Sequence, residues 1–380
     1  MKRQFGTFSL VLVLIGIPLS AAAAKAQEFG PWSAPVNAGA TVNSPCNDQH
    51  PALSKDGLTL VFASNRGLNA SDPCVSTVHL WVSERDSLDS PWETPQPLSM
   101  LNSPLNSTYE DMAANFSTDG HWLFFHSQRP SDCVPAGGIR QLWAAYRHNK
   151  RDDFGWEAPI NLGCVLNGPT DDAGPTFFEN DRSGTLYLYF TRDLTSPTLD
   201  PAGNGFDIYV STCTADLDSC NRQQLWSGGT YVAELSSPLR DTRTAIRRRD
   251  GLEMIISSTR AGTVGGLDLW VATRACVLDT WSIPININED NVNKGSDLVL
   301  NTTANDAAPA LSWDSQTLFF YSNRSGGFGG NDLFFSTRAK MPDAQWDREG
   351  RDSEREDRAR DKRGPEFHPD DECEHNGDQR

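Results

Sequence analysis

Five aspartates, Asp48, Asp111, Asp172, Asp241 and Asp306, recur along the chain at intervals of 63, 61, 69 and 65 residues. Carboxylates repeated at one position invite a catalytic reading. Two of them about 5–10 Å apart would supply the acid and base of glycoside hydrolysis. A residue present in every unit is more economically a structural cap on the turn that leads into that unit. Chemistry is therefore sought where the units differ. The residue before each aspartate is Asn47, Glu110, Asp171, Arg240 and Asn305, and the residue two after it is His50, Ala113, Gly174, Arg243 and Ala308. Glu110 and Asp171, with His50 beside them, are the candidate catalytic groups. His50, Arg240, Arg243, Asn47 and Asn305 are the candidate ligand-binding residues. Such a mixture of acidic and basic groups would grip an anionic or sugar-like ligand.

The elements that must position these residues are short strands. Each aspartate opens an apolar segment, as in Asp48-Gln-His-Pro-Ala-Leu53 and Asp306-Ala-Ala-Pro-Ala-Leu311, that runs into a turn. Asp56-Gly57, Asp119-Gly120 and Asp250-Gly251 are hairpin signals, because glycine accepts the positive φ of a tight turn. A second strand follows and ends near Arg66, Arg129, Arg192, Arg260 or Arg324, so repeated Asp–Arg pairs are expected. A third strand carries Trp81, Trp143 and Trp270 at one repeat position, which reads as packing between units. A Trp-x-x-Pro element closes the unit at Trp92–Pro95, Trp156–Pro159 and Trp281–Pro284, and Thr230 to Leu235 takes its place in the third unit. Proline confines that element to a sheet edge.

The fifth unit stops after its third strand, whereas Trp32-Ser-Ala-Pro35 precedes the first. The strand count therefore predicts an all-β fold, a β-propeller of about five four-stranded blades, closed by the N-terminal strand. At this point Pro51-Ala-Leu-Ser-Lys-Asp-Gly57, Phe62-Ala-Ser-Asn-Arg66 and Gly326-Gly-Phe-Gly-Gly-Asn-Asp-Leu333 resemble the PD40, or WD40-like, repeats of TolB-type propellers. The resemblance covers about residues 30 to 340 and implies a propeller. Many members of that family have six blades, so a degenerate sixth is the alternative to five.

Around this core, residues 1–26 read as a signal peptide: Met1-Lys2-Arg3, an apolar run from Phe8 to Leu19, and the Ala24-Lys25-Ala26 triplet. No later segment is long and apolar enough to span a bilayer. Residues 27–340 form the expected propeller, and 341–380 a charged, solvated tail. A periplasmic or secreted location makes the eight cysteines disulfide candidates. Cys46–Cys74 and Cys133–Cys164 fall on the upper face and Cys213–Cys220 within one lower loop, while Cys276 is left to tether the tail through Cys373. No metal or cofactor is expected, since His50, His79 and His126 lack ligand spacing and no CxxC pair occurs. A formal charge of −17 disfavours nucleic acid as a partner. The functional expectation is an exported binding module for a protein, peptide or glycan, docking on the upper face. The alternative is a carbohydrate-active hydrolase or lyase, and the oligomeric state is left open. A pocket with two convergent, unpaired carboxylates would favour the enzyme, and Asp–Arg pairs filling the mouth would favour the module.

Overall fold

A computed structural model of the protein describes residues 28–67, 73–99, 103–193 and 205–341. The expected signal segment and all but the first residue of the expected tail lie outside these residues. Among the described residues, five antiparallel sheets of four strands each account for the fold. Blade one comprises β2 (Asp48–Leu53), β3 (Thr59–Ser64), β4 (His79–Glu84) and β5 (Gln96–Pro97). Blade two comprises β6 (Asp111–Phe116), β7 (Trp122–Ser127), β8 (Gln141–Tyr146) and β9 (Ile160–Asn161). Blade three comprises β10 (Asp172–Glu179), β11 (Leu186–Asp193), β12 (Phe206–Cys213) and β13 (Thr230–Tyr231), with α1 (Leu217–Arg222) between the last two strands. Blade four comprises β14 (Asp241–Ile246), β15 (Glu253–Ser258), β16 (Asp268–Thr273) and β17 (Ile285–Asn286), followed by α2 (Ile287–Asn293). Blade five is β18 (Asp306–Leu311), β19 (Thr317–Ser322) and β20 (Asp332–Thr337), completed by β1 (Val36–Asn37) from the other end of the chain.

The closure follows the expected logic with a small displacement. Val36 pairs with Phe335 and Asn37 with Phe334, so the paired residues come just after Pro35. The other outer strands likewise begin after Pro95, Pro159 and Pro284. Proline has no N–H to give a ladder, so pairing starts one residue beyond it. Five hydrophobic clusters fill the five blade-to-blade interfaces, including one between blades five and one. An open row of five blades would have only four such interfaces, so the ring is closed and the sixth blade is not needed. Trp81, Trp143 and Trp270 each pack against the preceding blade, as their repetition suggested.

Three disulfides join Cys46 to Cys74, Cys133 to Cys164 and Cys213 to Cys220. The first two staple the loop entering a first strand to a loop after a second strand. The third closes the lower loop that holds α1. Cys276 is not free, and Cys373, the partner expected for it, lies outside the described residues.

Candidate functional site

The five repeated aspartates are wholly buried, and both oxygens of each are occupied. Asp111 shows the pattern. Its Oδ1 accepts from Arg129 Nη2 at 2.6 Å, and its Oδ2 from the Ser107 backbone N–H at 2.5 Å and hydroxyl at 2.8 Å. Arg66, Arg260 and Arg324 reach Oδ1 of Asp48, Asp241 and Asp306 through Nη2 in the same way, while Arg192 spans Asp172 with Nε on Oδ1 and Nη2 on Oδ2. Each arginine also donates to a carbonyl in the incoming loop, such as Leu105 O or Leu300 O. Burial alone would raise the Asp111 pKa, but His79, Arg129 and Ser127 outweigh it and hold the group ionised. The girdle thus ties the first strand, the second strand and the loop ahead of them, and leaves no oxygen for a substrate.

The residues preceding these aspartates divide by chemistry. Asn47 Oδ1 accepts from the Asn331 N–H at 3.0 Å and Asn305 Oδ1 from the Leu267 N–H at 2.9 Å. Both amide oxygens are therefore used in joining neighbouring blades. Asp171 makes the equivalent bond, accepting from the Arg140 N–H at 2.6 Å. Arg240 cannot accept, and its guanidinium stacks 4.7 Å from the ring of Phe206, which stands in the matching place of the preceding blade. Glu110 departs altogether and turns to side chains. Arg140 Nε donates to Glu110 Oε1 at 2.6 Å, and Arg140 Nη1 donates to Asp171 Oδ2 at 3.2 Å. One guanidinium therefore bridges the two candidate carboxylates across the boundary between blades two and three. All three side chains keep between 20% and 28% of their surface exposed, so a ligand can reach them.

Beneath this array lies His126. The Gly174 N–H donates to His126 Nδ1 at 3.1 Å, which places the ring hydrogen of the neutral form on Nε2, 3.6 Å from Glu110 Oε1. Burial lowers the His126 pKa, and Arg140 and Arg243 add to this while Glu110 opposes it. For Glu110, burial raises the pKa, but His126 and Arg140 prevail and bring it to about 2. Glu110 is therefore a fixed anion at neutral pH.

The position two residues after each aspartate has a backbone feature that its side chains do not announce. His50, Ala113, Gly174, Arg243 and Ala308 all have positive φ, between 46° and 62°. Each sits where the pairing of first and second strands shifts register. Four of the five are not glycine, and such backbone costs about 1–3 kcal/mol per residue unless its surroundings enforce it. Arg243 is only 4% exposed. It reaches from blade four to Ala113 O of blade two at 3.4 Å, passing so close to Gly174 that a Cβ there would lie 2.6 Å from Arg243 Cδ. Blades two and four are not neighbours, so this side chain crosses the central channel. Its Nε and the Nδ1 of His50 are buried without hydrogen-bond partners. His50 tilts against Tyr321 with ring centroids 5.8 Å apart. Burial, then Arg243, His126, Arg140 and Arg240, push its pKa well below the usual histidine value.

The site thus joins Glu110 and Asp171 through Arg140, and places Arg243, His126, Arg140 and Arg240 within electrostatic reach of His50. Among the described residues, no group of three or more His, Cys, Asp or Glu side chains is arranged to hold a metal ion. A pH dependence follows. His50 and His126 stay neutral in the folded state below the value near 6.5 at which they charge when unfolded. Their contribution to stability is thus fully present above about pH 6.5 and is lost as the pH falls toward their lower folded values. His50→Asn should shrink the drop in Tm between about pH 7 and pH 5, measured by calorimetry. The asparagine tolerates positive φ, so an unchanged drop would remove His50 as a source of the dependence.

No family model and no curated protein matches the chain, so the PD40 resemblance is not joined by a family match. Solved structures similar to it include an α-L-arabinofuranosidase from Lactobacillus brevis, 12% identical, TM-score 0.49, with 81% of this chain and 95% of that one covered. Another is a GH43_1 enzyme from Xanthomonas citri, 14% identical, TM-score 0.48, with 82% and 92% covered. A third, from Agrobacterium tumefaciens and described as TolB, is 12% identical with a TM-score of 0.39, covering 83% and 100%. Likenesses this distant carry no argument about activity, and the propeller rests on its own strand order.

Proposed function

We propose that the protein is an exported, carbohydrate-binding propeller that recognises a glycan across its upper face. The observation that carries this reading is the partly exposed Glu110–Arg140–Asp171 array, formed at one blade boundary of the five. Two carboxylates to accept and a guanidinium to donate match the paired hydroxyls of a sugar, through charge-assisted hydrogen bonds. Tyr109, beside Glu110, and Phe328, in an upper loop of blade five, are exposed and offer aromatic surface to the C–H faces of a sugar ring. The three disulfides suit an oxidising compartment, as does the signal pattern in residues 1–26. No helix among the described residues is long and apolar enough to cross a membrane.

A second reading, carbohydrate hydrolysis, is favoured by one observation. Glu110 and Asp171 both reach Arg140, which places them close enough to work as a pair. Protonation weighs against it, since Glu110 at about 2 holds no proton to give a leaving group at neutral pH. Arg140 occupies the space between the carboxylates that a reacting group would need.

Asp171→Asn separates binding from folding. Asparagine already stands at this position in blades one and five and accepts the same backbone bond. The variant should therefore melt within about 1 °C of wild type and lose glycan affinity by about tenfold or more, the effect of one charge-assisted hydrogen bond. The measurement is a calorimetric titration with neutral and acidic oligosaccharides. Turnover by wild type that Asp171→Asn and Glu110→Gln abolish would make the protein a hydrolase. No binding at millimolar oligosaccharide would end the carbohydrate reading and leave a protein or peptide partner.

A further inference from the structure

The upper channel holds donor groups that the protein itself leaves unmet. Arg243 is buried and forms no ion pair among the described residues, and its side chain has one long hydrogen bond, from Nη1 to Ala113 O at 3.4 Å. Its Nε is buried with no partner. Burial lowers its pKa to about 10, opposed by Tyr321 and by no carboxylate, so the side chain is still a cation at neutral pH. Gly174 brings a second donor beside it. A Cβ at Gly174 would lie 2.6 Å from Arg243 Cδ, and the Gly174 N–H donates to His126 Nδ1 at 3.1 Å. His126 Nε2 is then the ring donor, 3.6 Å from Glu110 Oε1 and buried short of a full hydrogen bond. His50 Nδ1, at the matching position of blade one, is a third buried nitrogen without a partner. The channel is open above this level, where His50 and Tyr321 are half-buried and Arg240 is exposed. Arg140, Arg240 and Arg243 are set against Glu110 and Asp171, and Arg140 already bridges both carboxylates. With the two histidines neutral, the mouth keeps one positive charge in excess.

A buried guanidinium without a counter-charge is costly, and an anionic ligand removes the cost. We propose that the glycan is acidic, with the carboxylate of a hexuronate seated on Arg243 in the upper channel and the neighbouring sugar hydroxyls on Glu110, Arg140 and Asp171. The inference rests on the glycan reading and names its ligand class. A carboxylate carries the single charge that the excess requires, and its two oxygens match the fork of a guanidinium. The ligand enters through the open mouth, so no closed cavity has to hold it.

The test is a calorimetric titration of wild type and Arg243→Gly with trimers of galacturonate and of mannuronate. Each is paired with the same trimer after its carboxyl groups have been reduced to alcohols. Glycine already holds this position in blade three, at a φ of 62°, so the backbone accepts the substitution. Wild type should bind an acidic trimer about tenfold or more tightly than its reduced counterpart, the effect of one charge-assisted hydrogen bond. The preference should vanish in Arg243→Gly. If that variant fails to fold, a crystal structure of the wild-type complex decides, with the ligand carboxylate expected within hydrogen-bond distance of Arg243. A carboxylate seated elsewhere overturns the inference. Equal affinity for acidic and reduced trimers, or an acid preference that survives in Arg243→Gly, also overturns it and leaves the glycan reading standing. Binding of neither form at millimolar concentration ends the glycan reading and this inference with it.

Discussion

Asp111→Ala is expected to destabilise the protein by about 3–5 kcal/mol, the cost of leaving one half of a buried ion pair without the other. Arg129 would keep its charge with only the Leu105 carbonyl and the Ser127 hydroxyl as hydrogen-bond partners. The N–H and hydroxyl of Ser107 would also lose their acceptor. Because these bonds tie the incoming loop to two strands, the loss should be felt as cooperative unfolding rather than local fraying. Urea denaturation of Asp111→Ala, Arg129→Met and the double variant measures it. The double variant should be less destabilised than the sum of the singles, since removing both charges leaves no orphan. A cost below about 1 kcal/mol for Asp111→Ala would show that the girdle is decorative. Asp172 should respond less than Asp111, because Gly168 supplies only a backbone N–H where Ser107 supplies two donors.

Trp32→Ala is the second large effect, expected at about 3–5 kcal/mol for a fully buried tryptophan. Trp32 lies in the cluster between blades four and five, with the Arg338 guanidinium 4.2 Å from its ring. Its backbone is gripped from both sides, its N–H donating to Asn291 Oδ1 at 2.8 Å and its carbonyl accepting from Asn291 Nδ2 at 3.1 Å. Losing it loosens β1, which completes blade five, and exposes the edge of β20. Limited proteolysis should cut the variant near residues 28–37 faster than wild type, since opening there no longer waits for global unfolding. Trp92 begins the same Trp-x-x-Pro element in blade one but is only partly buried. Trp92→Ala should therefore cost roughly half as much. Equal losses for the two variants would mean that closure of the ring contributes nothing special at Trp32.

The amino-acid sequence by itself determined whatever is repeated and short in range. The Asp–Arg pairs join residues about 20 positions apart within one hairpin, so each copy of the repeat displays both partners. The disulfides Cys46–Cys74, Cys133–Cys164 and Cys213–Cys220 could be read once the strands were assigned to upper and lower ends, because each bridge stays within one or two loops. Counting strands yielded the closure, since a blade short of a strand and a spare strand at the other end have one economical solution. The symmetry-breaking positions were also visible, but not what their side chains meet. Arg140 and His126 belong to no repeated pattern, and they meet Glu110 because pairing within blade two brings the ends of its first three strands together, while Asp171 joins them from blade three. The left-handed backbone at His50, Ala113, Gly174, Arg243 and Ala308 left no trace in composition, for four of those residues are not glycine. The reach of Arg243 to Ala113 depends on the diameter of the ring. That diameter is set by how five twisted sheets pack around one axis, a property of the assembled tertiary structure that no single repeat contains.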